Sequence, residues 1–160
     1  MKSDFPKVID RVAMSDDNRQ SIHATAVAIG KTGILITGPS GSGKSDLALQ
    51  LIDRGALLIS DDQVIVTLEN DIVALNPPQK IAGKIEVYSL GVFEVSFVTN
   101  IALSMIVKLS NDSERFPFSK PTDRFFGIDV PAITLDSNRS TAAIKVELAL
   151  QRIENVMVRK

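Results

Sequence analysis

Short apolar runs separated by glycines and polar pairs dominate the first half of the chain. Residues 24–29 and 34–37 are small or β-branched, and the Gly30-Lys31-Thr32-Gly33 segment between them predicts two strands joined by a tight turn. After a glycine-rich stretch, apolar residues recur at helical spacing, namely Leu47, Ala48, Leu51 and Ile52. Gly55 predicts the end of that helix. The nearly all-apolar run at 56–60 is typical of a strand that is buried on both faces.

The second half of the chain continues in short strands and ends in a helical pattern. Residues 63–68 and 72–75 flank Glu69-Asn70-Asp71 and predict a hairpin. Further strands are predicted at 85–88, 93–97, 101–109 and 133–135. Residues 111–121 are polar with two prolines and predict a loop. Residues 140–157 carry apolar positions along neighbouring helical lines and predict a C-terminal helix.

These elements predict an α/β fold. We expect a strand-rich mixed sheet with one helix after the glycine-rich loop and one helix at the C-terminus. The chain has 160 residues, a usual size for one domain. Residues 1–20 are polar without a clear period, so we expect an N-terminal extension there and a single domain at 21–160.

Composition and charge narrow the function classes. Hydrophobic residues make up 44% and charged residues 23% of the chain, and the net charge is −1, which argues against a nucleic-acid or membrane-surface protein. Cysteine is absent, which excludes disulfides and thiolate metal sites. The charged first twenty residues do not resemble a signal peptide, and no apolar run is long enough to span a membrane. We therefore expect a soluble cytoplasmic protein.

The glycine-rich stretch matches the phosphate-binding pattern G-x-x-x-x-G-K-[ST] at every position. Its residues, in order, are Gly38, Pro39, Ser40, Gly41, Ser42, Gly43, Lys44 and Ser45. Glycines allow consecutive N–H groups to form an anion nest, and the following helix adds the positive end of its dipole. Lys44 is expected to reach the outer phosphates of a nucleotide and the Ser45 hydroxyl to hold Mg²⁺. This P-loop predicts that the chain binds a nucleoside triphosphate.

An acidic pair, Asp61-Asp62, follows the predicted buried strand at 56–60. Ligands of open α/β sheets bind outside the carboxyl ends of strands, so an acid there could bind Mg²⁺ or accept a proton from an attacking hydroxyl. Adjacent residues of an extended chain point to opposite faces, and we therefore expect one of the two to face the nucleotide. The short distance from the loop also predicts that the helix returns directly into a strand adjacent to the one before the loop.

Other polar residues are weak candidates when each is taken alone. His23 is the single histidine, and Glu86 lies in a mostly apolar segment. Arg115, Arg124 and Arg139 lie in or near polar segments where arginine is commonly solvated. Each is more often a surface or core residue than a catalytic one.

In combination, these residues follow the order of motifs of a known family. The matching segments are His23, Gly33 to Gly38 with Lys44-Ser45, Arg54-Gly55 followed by Asp61-Asp62, Glu86 followed by Leu90-Gly91-Val92, and Glu114-Arg115 ahead of Val130-Pro131-Ala132-Ile133. Over roughly residues 21–150, the chain resembles the catalytic domain of HPr kinase/phosphorylase. The likeness is greatest to the short proteobacterial form that lacks the N-terminal domain.

This resemblance implies residue roles that spacing alone does not. Asp62 would be the base that accepts the proton of a serine hydroxyl on the phosphocarrier HPr. Glu86 would hold Mg²⁺ together with Ser45. His23, Lys44 and Arg115 would belong to the catalytic site. The family also implies ATP as donor, a cytoplasmic location, a hexamer, and an HPr-like phosphocarrier of the phosphotransferase system as partner.

Two departures from the family pattern bear on activity. Val87-Tyr88-Ser89 replaces I-R-G after the acid, which removes an arginine and a glycine near the metal site. Residues 136–140 keep only Arg139 of a basic stretch that the family ties to dephosphorylation. We therefore expect kinase activity more than the reverse phosphorylase activity.

Two rival functions remain open at this point. A small-molecule P-loop kinase would need an arginine-rich lid, whereas the loop at 111–121 holds only Arg115 and Lys120 as basic residues. A non-catalytic module that binds ATP as a sensor is the other alternative, and the altered Tyr88-Ser89 segment favours it.

Overall fold

In a computed structural model, the described residues 16–110 and 122–158 form eleven strands and two α-helices. The elements are β1 (Arg19–His23), β2 (Thr25–Ile29), β3 (Thr32–Thr37), α1 (Lys44–Asp53), β4 (Leu57–Ser60), β5 (Gln63–Glu69), β6 (Ile72–Asn76), β7 (Lys84–Val87), β8 (Gly91–Glu94), β9 (Ile101–Leu109), β10 (Thr122–Phe125), β11 (Ile128–Leu135) and α2 (Ala142–Val158). The predicted α/β class, with a strand-rich mixed sheet, a helix after the loop and a C-terminal helix, is confirmed. Among these residues, no helix is long and apolar enough to cross a membrane.

The sheet is organised around β9, which pairs with strands on both sides. The order is β1-β5-β6-β9-β3-β2-β4, and β11 pairs with the second half of β9 while β6 pairs with its start. The β3–β9 and β9–β11 pairs are parallel, and the other neighbours are antiparallel. Strands β7 and β8 form a separate two-stranded hairpin. Because β3 lies beside the central strand, the loop that follows it is anchored in the middle of the sheet.

Each face of the sheet is covered by its own apolar cluster. On β3, Ile34 and Ile36 face α1 and α2, whereas Leu35 faces the side formed with β5 and β6. The same alternation on β9 places Met105 and Val107 on the helix side. Fully burying such an apolar side chain contributes roughly 1.5–3 kcal/mol to the free energy of folding, relative to leaving it exposed to water. The two clusters hold β3 rigidly on both faces, which fixes the start of the loop.

The two helices are joined at their exposed edge by an ion pair. Arg54, directly after α1, contacts Glu147 of α2, with Nη2 and Oε1 2.8 Å apart. The hydrogen bond to Glu147 and its negative charge raise the pKa of Arg54 above the usual value. Gly55, with φ 111°, then turns the chain towards β4, at the position where the sequence predicts the helix to end.

Some elements differ from the sequence prediction. Strand β1 begins at Arg19, within the segment predicted as an extension, and β10 was not predicted. Strand β8 covers Gly91–Glu94, so the predicted strand at 93–97 is wrong in its position because the chain turns earlier. The predicted loop at 111–121 lies outside the described residues.

The prediction that α1 returns into a strand adjacent to β3 is also wrong. Strand β2 lies between β3 and β4 and pairs antiparallel with both of them. The end of β4 is therefore separated from the loop by one strand. Thr25 of β2 and Asp61, which follows β4, are joined by a side-chain hydrogen bond of 3.0 Å.

Candidate active site

The loop formed by residues 38–43, called the phosphate loop below, connects the end of β3 to the first residue of α1. Gly41 and Gly43 have φ values of 79° and 97°, a region that residues with a Cβ rarely adopt. Gly43 precedes the helix without a side-chain cap, so the first N–H groups of α1 stay free to bind an anion. The backbone of this loop thus has the positive φ values and the uncapped helix start that a phosphate-binding loop requires, and phosphate binding itself stays a prediction.

Lys44 lies back across the loop. Its side chain is only 8% exposed, and Nζ donates hydrogen bonds to the carbonyl oxygens of Gly38, at 2.9 Å, and Pro39, at 3.1 Å. An ammonium group has three donors, so one N–H remains for a ligand. Lys44 thus brings a preorganised positive charge to the mouth of the loop.

Asp61 is the centre of a buried hydrogen-bond network. It is 5% exposed, and its Oδ1 accepts hydrogen bonds from Ser45 Oγ at 2.6 Å and Thr25 Oγ1 at 3.0 Å. Its Oδ2 accepts the Glu86 N–H at 3.0 Å. A buried carboxylate with three donors is fully compensated, which makes the arrangement rigid. The network ties the phosphate loop to β2 and β7.

Asp62 lies at the tip of a sharp turn. The Gln63 N–H donates to the Asp61 carbonyl at 2.8 Å, and Asp62 between them has φ 73°. A three-residue turn closed by this hydrogen bond, with positive φ at its central residue, is the rare form of the γ-turn. Such strained conformations are often found at functional sites. The turn interrupts the extended chain and projects the Asp62 side chain outwards, where it is 71% exposed.

His23, the last residue of β1, meets Asp62 across the site. His23 Nε2 and Asp62 Oδ1 are 3.0 Å apart, and the two side chains are 49% and 71% exposed. The Ala24 N–H also donates to the Asp62 carbonyl at 3.2 Å, which holds the turn against the β1–β2 junction. A carboxylate fixed by a histidine and open to solvent can accept a proton from an incoming hydroxyl.

A cavity of about 490 Å³ lies at the phosphate loop and the Asp62 turn. Its lining combines the phosphate loop, the acidic turn and the β7–β8 hairpin, namely His23, Thr25, Ser40, Gly41, Gly43, Lys44, Ser45, Asp46, Asp62, Glu86 and Tyr88. Tyr88 stands at the rim, with 85% of its surface exposed. The lining therefore combines residues of the loop before α1 with the acidic side chains of Asp46, Asp62 and Glu86.

The donor set of the cavity suits Mg²⁺ better than a metal that needs a complete protein cage. Ser45 offers a hydroxyl and Glu86 a carboxylate in the lining, and Asp61, outside the lining, accepts the hydrogen bond of the Ser45 hydroxyl. Within 16–110 and 122–158, no group of three or more histidine or acidic side chains is arranged so that it could hold a metal ion by itself. Mg²⁺ usually takes one or two protein ligands and completes its octahedron with water and phosphate oxygens. The residues present therefore fit Mg²⁺ bound together with a nucleotide.

Most of the residues predicted from the sequence come together here. His23, Lys44, Ser45, Asp62 and Glu86 all line the cavity. Arg115 lies outside the described residues, and its role stays a prediction. Arg124 and Arg139 are absent from the lining, and each contacts an acid on its own surface segment, Asp129 and Asp136 respectively.

The sequence predicts that one acid of the Asp61-Asp62 pair faces the nucleotide, and it assigns no separate role to Asp61 or to Thr25. Asp62 alone of the two lines the cavity, but Asp61 controls the orientation of Ser45 from behind. The sequence signal available for Asp61 was an acid that directly follows the nearly all-apolar run at 56–60. Thr25 carried no signal, because only the pairing of β2 with β4 brings it to Asp61.

Known proteins share the sequence pattern and the fold of this chain. Residues 15–157 match the family model described as the HPr Serine kinase C-terminal domain. The chain is 35% identical over 139 residues to the HPr kinase/phosphorylase of Pediococcus pentosaceus, covering 79% of this chain and 43% of that protein. It is 30% identical over 132 residues to the HPr kinase/phosphorylase of Prosthecochloris aestuarii, covering 74% and 39%. The chain thus spans about two fifths of the length of these relatives.

A solved structure shares the fold. The structure of the Hpr(Ser) kinase/phosphatase from Coxiella burnetii superposes with a TM-score of 0.74 at 27% sequence identity. The alignment covers 88% of this chain and 93% of that chain. With a family model that matches nearly the whole chain and a fold shared with one of its members, this protein belongs to the HPr serine kinase C-terminal domain family.

Proposed function

We propose that this protein transfers the γ-phosphoryl group of Mg·ATP to a serine hydroxyl of an HPr-like phosphocarrier protein. The observation that carries the proposal is that the loop with Lys44 and the hydrogen-bonded Asp62–His23 pair line the same cavity. The names of the relatives, HPr kinase/phosphorylase and Hpr(Ser) kinase/phosphatase, supply the class of acceptor.

The residues divide the reaction between donor and acceptor walls. The N–H groups of the loop and Lys44 bind the phosphates, and Ser45 with Glu86 would hold Mg²⁺, which neutralises charge on the phosphate oxygens. Asp62 accepts the proton of the serine hydroxyl while the serine oxygen bonds to the γ-phosphorus. The bond from that phosphorus to the bridging oxygen breaks, and ADP leaves. His23 holds the Asp62 carboxylate in place through its 3.0 Å contact.

The base assignment is tested by Asp62→Asn. Asparagine keeps the size of the side chain and tolerates the positive φ of this position, but it cannot accept the proton. We expect the rate of ³²P transfer from ATP to an HPr-like acceptor to fall about 10²–10⁴-fold, while ATP binding is retained. The matched control is Asp71→Asn, an exposed aspartate with φ 63° in the β5–β6 turn, which should transfer at the wild-type rate.

The same assay separates the rival functions. Full transfer by Asp62→Asn would refute the base assignment. ATP binding by the wild type without transfer to any HPr-like acceptor would indicate a sensor module, and transfer to a small molecule instead would indicate a small-molecule kinase. Incubation of the phosphorylated acceptor with inorganic phosphate measures the phosphorylase reaction, which we expect to be the weaker activity because 136–140 keeps a single arginine.

We further propose that the chain forms a homo-oligomer, a hexamer by family resemblance. In a single copy of the chain several large apolar side chains are exposed to solvent, including Tyr88, Leu90, Val92 and Phe93 of the β7–β8 hairpin region. Exposed apolar clusters of this kind commonly mark contacts between proteins. Sedimentation equilibrium should give six times the 17.3 kDa mass of the chain. A single-chain mass at micromolar concentration would overturn this part of the proposal.

A further inference from the structure

The turn between β11 and α2 contacts the phosphate loop through the side chain of Ser137. Ser137 Oγ donates a hydrogen bond to the main-chain carbonyl oxygen of Ser42. The approach is close, because a methyl group added at Gly43 would fall 2.7 Å from Ser137 Oγ and 3.0 Å from Ser137 Cβ. Glycine at position 43 is therefore required by Ser137 as well as by its φ of 97°.

Ser137 is itself held in place by its neighbours. The Leu135 carbonyl accepts the Ser110 N–H at 3.0 Å, which fixes the end of β11. Asp136 Oδ1 then accepts the Asn138 N–H at 2.9 Å, an Asx-turn that closes the chain around Ser137. The Asp136 carbonyl also accepts the Arg139 N–H at 3.2 Å. These hydrogen bonds fix the turn and therefore the position of the Ser137 hydroxyl.

The direction of the Ser42 carbonyl determines the direction of the next N–H group. In a trans peptide the C=O and N–H bonds point to opposite sides. With the Ser42 oxygen bound to Ser137, the Gly43 N–H points away from Ser137. Gly43 lines the cavity and Ser137 does not, so this N–H faces the cavity side of the loop. Within the described parts of the chain no main-chain carbonyl receives it.

We propose that Ser137 is a positioning residue that locks the Ser42–Gly43 peptide with its N–H directed at the polyphosphate of the nucleotide. The inference rests on the proposed function in that it takes this loop as the nucleotide site. Preorganised N–H groups bind phosphate without the cost of reorienting a peptide at the moment of binding. Ser137 therefore contributes to phosphate affinity although it lies outside the cavity.

The test compares Ser137→Ala with the wild type by calorimetry, using Mg·ATP and Mg·tripolyphosphate as probes. We expect both dissociation constants to rise by about tenfold, the scale of a weakened hydrogen bond to a charged group. Tripolyphosphate has no nucleoside, so an equal loss for both probes assigns the effect to the phosphate loop. The control is Ser140→Ala, an exposed serine of the same turn, which should bind as the wild type does.

The amide signal of Gly43 provides a second readout that a purely structural role would not change. In the wild type, tripolyphosphate should shift the Gly43 amide proton strongly, and in Ser137→Ala the shift should be much smaller. Ser137→Cys, which keeps the volume with a weaker donor, should give an intermediate shift even where Ser137→Ala folds poorly.

The outcomes separate the two levels of the proposal. Wild-type protein that binds neither probe overturns the proposed function and this inference together. Wild-type binding with an unchanged Ser137→Ala variant, or a loss for ATP alone, overturns only the role of Ser137. Equal losses for both probes with a reduced Gly43 shift support it.

Discussion

Ser89, beside the rim residue Tyr88, shows how one residue can carry local strain next to the cavity. It has φ 68° in the turn that links β7 and β8, a conformation that favours glycine. The serine therefore costs this chain stability, and the cost falls on the hairpin that carries Glu86 and Tyr88 into the cavity.

We expect Ser89→Gly to stabilise the protein by about 0.5–1 kcal/mol, since relief of the left-handed strain exceeds the added flexibility of the unfolded chain. Urea unfolding monitored by circular dichroism measures the difference. The control is Ser96→Gly, an exposed serine that is not among the residues with positive φ. That change adds only flexibility and should destabilise by about 0.5 kcal/mol. Destabilisation by both variants would show that Ser89 is not strained.

At the scale of elements, short sequence patterns correctly predicted those helices, strands and turns whose structure depends on residues nearby in the sequence. The β3–loop–α1 unit was predicted because an apolar strand, an eight-residue motif and a helical period follow one another directly. The β5–β6 hairpin was predicted because two apolar runs flank Glu69-Asn70-Asp71. In the structure Asn70 and Asp71 adopt positive φ, as hairpin turns of this type require. In these segments the sequence determines the structure within a few residues.

Elements defined by distant partners were not predicted. Strand β1 is exposed at four of its five residues because only β5 covers it, so it has no alternating apolar pattern. The placement of β2 between β3 and β4 depends on pairings across the sheet. The γ-turn at Asp62 has the same origin, because contacts with Ala24 and His23 hold it. The contact of Ser137 with Ser42 is likewise invisible in a linear pattern.

At the scale of the whole molecule, the phosphate loop joins parts of the chain that are far apart in sequence. Its first residue follows β3 in the middle of the sheet, Ser45 is held by Asp61 after β4, and the Ser42 carbonyl is held by the turn before α2. A ligand bound to this loop therefore contacts groups supported by most of the fold. Its binding energy should stabilise the molecule as one cooperative unit.

This coupling predicts a thermal shift that depends on Lys44. At a concentration of Mg·ATP one hundred times the dissociation constant, the native state gains about 2.7 kcal/mol, which corresponds to a rise in melting temperature of about 5–10 °C for a domain of this size. Lys44→Met removes the ammonium at the mouth of the loop, and we expect it to abolish most of this rise. Lys31→Met, in the exposed β2–β3 turn, is the matched control and should keep the full rise.

The comparison uses the increment caused by the ligand in each variant, because Lys44 also donates hydrogen bonds to Gly38 and Pro39 in the free protein. Loss of those bonds changes the melting temperature without ligand, whereas the increment reports binding alone. An equal increment in Lys44→Met and the wild type would mean that the nucleotide binds elsewhere. Loss of the increment in Lys44→Met alone would show that the loop after β3 is where the nucleotide contacts the fold.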